Sequence, residues 1–303
     1  MVMFIAQLSG RKSLRDLVMN VTAQSSKLYH LGVKKCSRAT LLARVNEQQP
    51  ASLYEAFFHK LLLRCRDFAP KHRFRFNGKV YLLDATVVDL CLSVFPWAEF
   101  RKRKGAIKLH IGLDGDGYLP EFVNLTTGKE HEINWAKTLR LPAGSMAVFD
   151  MGFTDYKWYQ SLMGNGIYFV TRLIRMVTYQ DPETGKELTF VTNAHHLEAK
   201  TIAALYKERW QIELFFKWVK GNLKIKTFLG TSRNAVLTQI WIALIVYLLL
   251  VFLKFKSKIG LSMQQILRLL QLNLFERRNL INLFKPPAPQ TVECRQFLLF
   301  QNL

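Results

Sequence analysis

In the stretch YKERWQIELFFKWVK, Tyr206 to Lys220, one acid, Glu213, stands among aromatic residues and lysines. At about 3.6 residues per turn each residue advances a helix by roughly 100°, so Tyr206, Arg209, Glu213 and Lys220 fall on one narrow stripe. Leu205, Ile212, Phe216 and Val219 border one side of that stripe, and Leu214 and Trp218 the other. The spacing therefore predicts a half-buried Glu213. Two readings are open: an ordinary (i, i+4) salt bridge between Arg209 and Glu213 on a core helix, or a carboxylate kept for chemistry. Two more acids bear on the choice. Asp84 stands mid-strand in YLLDATVVD, where a charge among valines and leucines is costly unless it faces something cationic. Asp150 closes the strand MAVFD, at the carboxyl edge where ligands bind in sheets of this kind.

These acids sit in a strongly basic chain. Against 22 Asp and Glu there are 43 Lys and Arg in 303 residues, a formal charge of +21. That surplus points to a polyanionic partner, nucleic acid or an acidic membrane surface. Half of the residues are hydrophobic, which excludes a disordered basic tail and leaves room for one large domain or two modest ones. Cys36, Cys65, Cys91 and Cys294 are scattered without a C-x-x-C pair, matching neither a zinc site nor a secreted disulfide framework. The opening MVMFIAQLSGRKSLRDLV has no secretory pattern, so the expected location is the cytoplasm, in association with the nucleoid. One segment argues otherwise. Ala235 to Leu253 is nearly all apolar and is followed by Lys254, Lys256 and Lys258, so its length and flanks suit either a bilayer span or a helix buried on every side.

Three parts organise the chain. Residues 1–77 read as a basic helical region, with Ser13 placed to cap a helix. Around APKHRFRFNGK the pattern changes to short strands, opening a second part at 78–230. There KVYLLDATVVDL, GAIKLHIGLD and YLPEFVNLTT read as strands, EINWAKTL as a helix, SMAVFD as a strand and TDYKWYQSLMGN as a helix. GIYFVTRLI is a further strand, a small β insertion follows at about 172–197, and then comes the Glu213 helix. Residues 231–303 complete the chain with helices. The fold class expected is α/β: an RNase H-like mixed sheet flanked by helices, with helical N- and C-terminal parts. In that order the first strand, the fourth strand and the late helix converge, so Asp84, Asp150 and Glu213 would meet. Carboxylates so gathered repel one another unless divalent cations neutralise them. Two such cations can activate a water or a sugar 3′-hydroxyl and stabilise the oxyanion leaving phosphorus.

The segments DATVVDLCLSVFPWAEFRKRKGAIKLH, VFDMGF and YKERWQIELFFKWVK closely resemble DDE transposases of the bacterial insertion-sequence IS-four family. The family's Y-x-x-R-x-x-x-E-x-x-x-x-x-x-K signature is matched by Tyr206, Arg209, Glu213 and Lys220, and the likeness runs from about residue 5 to about 280. The resemblance implies a cut-and-paste transposase whose Asp84, Asp150 and Glu213 bind two Mg²⁺ ions, for which Mn²⁺ substitutes. It implies that Tyr206, Arg209 and Lys220 hold phosphates of the element's end, and that residues 1–77 bind that end. The partner would be double-stranded DNA, both terminal inverted repeats and target, with a homodimer in the synaptic complex and no membrane. It also implies that Ala235 to Leu253 is a core helix, and that part of the end-recognition region is missing ahead of LSGRKSLRD.

Other residues carry competing readings. Arg101, Lys102, Arg103 and Lys104 form the best phosphate-binding run, or a solvated loop. His110 and His131 border the DNA or serve structure, and Trp210 stacks on an extruded base or packs in the core. Asp89, Asp114, Asp116 and Asp155 are expected at the surface or in turns, since Asp89 is out of phase with Asp84 and DGDG is turn chemistry. Two rival functions remain at this point: a catalytically inactive remnant that binds inverted repeats, and a single-pass membrane protein with a basic cytoplasmic domain.

Overall fold

The computed structural model describes residues 1–33, 38–76, 78–101, 104–180, 187–223, 228–258 and 260–284. Helices α1 (Val2–Ser9), α2 (Leu14–Ala23), α3 (Ala39–Gln48) and α4 (Ala51–Arg66) come first. Ser13 caps α2 as its position predicts, accepting the Asp16 amide at 3.0 Å. Strand β1 (Val80–Leu90) then leads to the short β2 (Glu99–Arg101), β3 (Lys104–Asp114) and β4 (Leu119–Thr127). After α5 (Glu132–Ala136) come β5 (Met146–Val148), α6 (Tyr156–Gly164), β6 (Tyr168–Gln180) and β7 (Glu187–Thr192). Helices α7 (Ala199–Glu208), α8 (Trp210–Asn222), α9 (Arg233–Ser257), α10 (Met263–Leu272) and α11 (Leu280–Leu283) follow.

The strands form one mixed sheet in the order β2-β3-β1-β5-β6-β7, with β4 also paired to β3. β1 runs antiparallel to β3 and parallel to β5, β5 is parallel to β6, and the β6-β7 hairpin extends the free edge. This is the RNase H-like arrangement expected from the element order. The period of two along a strand then decides which side chain faces which layer. Val80, Leu82, Met146 and Val148 join the core shared with α4, α7, α8 and α9, whereas Tyr81, Leu83, Ala147 and Phe149 pack with Trp135, Trp158 and Tyr159 of α5 and α6. Asp84 keeps the first phase, on the side from which Arg209 approaches it. Register ends short of the acids: Val80 pairs with Met146 and Leu82 with Val148, and Asp150 follows just beyond the end of β5.

Helix α9 resolves the apolar segment. It is long and apolar enough to cross a membrane, yet from Ala235 to Leu248 almost every residue is buried within the protein. Phe58 of α4 meets Trp241 with ring centroids 5.2 Å apart, and Phe215 of α8 meets Tyr247 at 4.9 Å. Gln239, near its polar start, accepts the Leu229 amide at 2.9 Å inside the protein. The first helices form a satellite core of Ile5, Leu17, Val21 and Leu28 against Leu229 and Phe275. Asn234 at the start of α9 holds the α3-α4 corner, donating to the carbonyls of Asn46, Glu47 and Gln49 and accepting the Ala51 amide.

Two expectations are corrected. Asp116 lies in the expected turn, but Asp114 closes β3, and neither is at the surface: they are 4% and 1% exposed. Lys79 bridges both, and Asp116 also takes Lys71 and the His72 amide. Burial alone would raise the Asp116 carboxyl, but these partners hold it down at about 2. The second correction concerns the Glu213 helix, read as continuous. It divides at Arg209, where the backbone stays helical (φ −51°, ψ −30°) but the Arg209 amide reaches the Tyr206 carbonyl and the Ile212 amide the Arg209 carbonyl. These tighter bonds make a joint between α7 and α8 while keeping Arg209 and Glu213 one turn apart. Asp89 is exposed and Asp155 caps α6, both as expected.

Candidate active site

Asp84 sits where β5 has ended and β1 continues, so the acid has no neighbouring strand on that side. Its side chain is 15% exposed, and Oδ1 accepts the Ala85 amide at 2.7 Å. Burial pushes the carboxyl up to about 7; the Ala85 amide opposes this, Asp150 adds to it, Arg209 opposes it and Glu132 adds to it. Asp150, in extended backbone just beyond β5, accepts the Gly152 amide at 2.9 Å and so starts the turn Met151–Phe153. Glu213 lies in the first turn of α8, one turn after Arg209. It is half-buried, as its stripe predicts, with 32% of the side chain exposed.

Arg209 joins the acids. Its Nη2 lies 2.6 Å from Glu213 Oε1 and its Nη1 3.6 Å from Asp84 Oδ2, so one guanidinium spans the strand acid and the helix acid. The (i, i+4) pair therefore exists, but with a third member across the site. Tyr206 packs between Phe190, at 5.2 Å, and the Arg209 guanidinium, 5.6 Å from its ring centroid. Lys220 donates to Thr86 Oγ1 at 2.5 Å and to the Val87 carbonyl at 2.8 Å, pinning the far end of α8 to β1 beside Asp84. Asp84 and Asp150 thus share one field, and Asp84 and Glu213 share one cation. Among the described residues, no three His, Cys, Asp or Glu close into a metal-holding group.

Of the basic run, Arg101 and Lys104 are exposed at the β2-β3 hairpin, with Arg101 over the Phe100 ring at 5.1 Å. Lys102 and Arg103 lie outside the described residues. His110 is wholly buried, bonded to Thr126 Oγ1 at 2.9 Å and packed on Trp135 at 5.3 Å, which places it in the core and away from any solvent-borne partner. Trp210 is 56% exposed rather than packed. The sequence reading passed over two residues: Glu132, whose charge reaches Asp84, and Lys108, 3.3 Å from it. An acid in the first turn of a helix is ordinary end chemistry, so nothing local marked Glu132.

Residues 75–249 match the family described as Transposase DDE domain, and residues 1–34 one described as Domain of unknown function (DUF4372). A putative transposase of Sinorhizobium fredii is 27% identical, with 81% of this chain aligned to 80% of that one. A probable transposase for an insertion sequence element of Geobacillus stearothermophilus is also 27% identical, over 61% of this chain and 59% of its own. A putative insertion-sequence transposase of Synechocystis is 26% identical over 66% and 67%. In fold the chain is similar to the piggyBac transposase solved in a synaptic complex with hairpin DNA: TM-score 0.51, 10% identity, 96% of this chain and 76% of that chain covered. With the family match spanning the whole sheet, both site aspartates, Glu213 and most of α9, this chain belongs to the DDE transposases of bacterial insertion sequences.

Proposed function

We propose that this transposase cuts DNA at the ends of its own insertion sequence and joins the freed ends to a target, with Asp84, Asp150 and Glu213 as its catalytic acids. The observation that carries the proposal is the bridge that Arg209 makes between the largely buried Asp84 and Glu213, with Asp150 just past the carboxyl end of β5. Oxygen donors of this kind fit hard divalent cations, two Mg²⁺ or in their place Mn²⁺, and acids that raise one another's protonation are stabilised by a cation among them. Such cations, when bound, supply an activated water or 3′-hydroxyl and charge stabilisation for the leaving oxygen. Cleavage by water leaves a 3′-hydroxyl on the element, and attack of that hydroxyl on a target phosphodiester completes strand transfer.

The residues of the chain divide the remaining work. Arg209 balances Asp84 and Glu213 in the free protein, and a DNA phosphate offers its guanidinium a second anionic partner with the same fork geometry. Tyr206 buttresses that guanidinium. Lys220 fixes the spacing of α8 from β1 and places positive charge beside Asp84, where backbone would otherwise be repelled. Arg101 and Lys104, with Lys102 and Arg103, extend the phosphate track. The helical region 1–77 takes the terminal inverted repeats, and residues 78–230 and 231–303 form the catalytic core and the helices supporting it. A homodimer pairs two ends in the synaptic complex, in the cytoplasm at the nucleoid.

The test is strand cleavage on duplexes carrying the element's ends, with Asp84→Ala, Asp150→Ala and Glu213→Ala proteins, and gel-shift binding run in parallel. Each variant is expected to bind but not cut. Normal cutting by Glu213→Ala would remove that residue from the site, and absence of cutting by the unaltered chain would favour an inactive end-binding remnant.

A further inference from the structure

Glu132 approaches the site from the α5 layer. The point that a β-carbon on Gly152 would occupy lies 2.8 Å from Glu132 Oε2 and 3.0 Å from Asp150 Oδ1, so the two carboxylates converge on the bare face of that glycine. A β-carbon at 152 would require one of the two carboxylates to shift, so the glycine leaves room for both beside the turn that presents Asp150. Lys108 of β3 holds the other oxygen, Nζ to Oε1 at 3.3 Å, and both side chains are largely sequestered, 13% and 25% exposed. At this length the contact is a weak one. Glu213, by contrast, gives its Oε1 to Arg209 at 2.6 Å.

We infer that Glu132 is a fourth acid of the catalytic centre, adding its charge to the divalent-cation site on the Asp150 side, with Lys108 as a counter-ion that competes with the cation for it. The inference rests on the proposed cation-binding role of Asp84, Asp150 and Glu213. Glutamine at 132 keeps shape and can still accept from Lys108, so only the charge is lost.

The experiment is Mn²⁺ titration of the full-length protein by calorimetry, with urea unfolding of each variant as a check on folding. Glu132→Gln is expected to weaken Mn²⁺ binding by about tenfold or more, the range seen when carboxylates around a metal are altered. Glu132→Asp, which retains the charge, should stay near the unaltered protein, and Lys108→Met should bind Mn²⁺ at least as tightly. Unchanged affinity in Glu132→Gln, while Asp150→Asn loses binding, overturns the inference and leaves the three-acid site standing. Equal weakening by Lys108→Met and Glu132→Gln also overturns it, because the pair would then be a structural strut. Unchanged affinity in Asp150→Asn is a different failure: it refutes the cation site itself.

Discussion

Replacing Arg209 by Met should both destabilise the protein and make its stability depend on divalent cation. The guanidinium contacts Glu213 Oε1 at 2.6 Å and Asp84 Oδ2 at 3.6 Å, and its own side chain is 16% exposed. At an effective dielectric near 20, unit charges about 4 Å apart attract by about 4 kcal/mol, most of which offsets the loss of hydration. Removing one partner of a buried ion pair costs roughly 3–5 kcal/mol, because the other charge stays buried and unpaired. Glu213 keeps 32% of its side chain in solvent, which screens part of that cost. A loss of about 2–4 kcal/mol is therefore expected for Arg209→Met in the absence of metal. Urea unfolding with and without Mg²⁺ measures it, and Mg²⁺ should return more stability to the variant than to the unaltered protein, since a ligand stabilises the state that binds it more tightly. A loss below about 0.5 kcal/mol, the value of an exposed (i, i+4) pair, would refute the three-way bridge. So would an equal response of the two proteins to Mg²⁺.

Two further outcomes follow from polar groups that hold the fold. His110 is wholly buried and its imidazole is held down at about 4, by burial first and then by Lys108. The unfolded chain protonates this group near pH 6.5 while the folded chain does not, so stability falls as pH drops from about 6.5 toward 4, by on the order of 3 kcal/mol; His110→Asn should flatten that part of the unfolding profile. Asn234→Ala frees three carbonyls and the Ala51 amide at the α3-α4 corner and should cost about 2–3 kcal/mol in unfolding free energy, with a loss under 0.5 kcal/mol contradicting the clamp.

Local pattern and long-range placement were legible to different degrees. Asp84 and Asp150 could be found because an acid inside an apolar strand violates its own period, and strand order then carries both to one edge. Glu213 could be found because helical spacing puts it on a stripe with Arg209 and Lys220. The partner of Lys220 could not, since Thr86 and Val87 lie 134 and 133 residues away. The burial of Asp114 and Asp116, expected at the surface or in turns, could not be read, because DGDG has the same turn chemistry wherever Lys71, His72 and Lys79 fold. The joint at Arg209 has no glycine or proline to announce it. Composition alone left helix α9 open between core and bilayer, and only the family resemblance favoured the core: composition records that a helix avoids water, while its burial depends on α4 and α8, which a window of hydropathy does not contain.

The most direct test of the catalytic centre is a change of metal preference. Asp150→Cys replaces a hard oxygen with a soft sulfur, so strand cleavage at the element's ends should be lost with Mg²⁺ and recovered at least in part with the thiophilic Mn²⁺ or Cd²⁺, whereas Asp150→Ala stays inactive with all three. Recovery confined to the cysteine protein would mean that residue 150 touches the cation during cutting. Equal cleavage by Asp150→Cys in Mg²⁺ and Mn²⁺, or activity in Asp150→Ala, would contradict it.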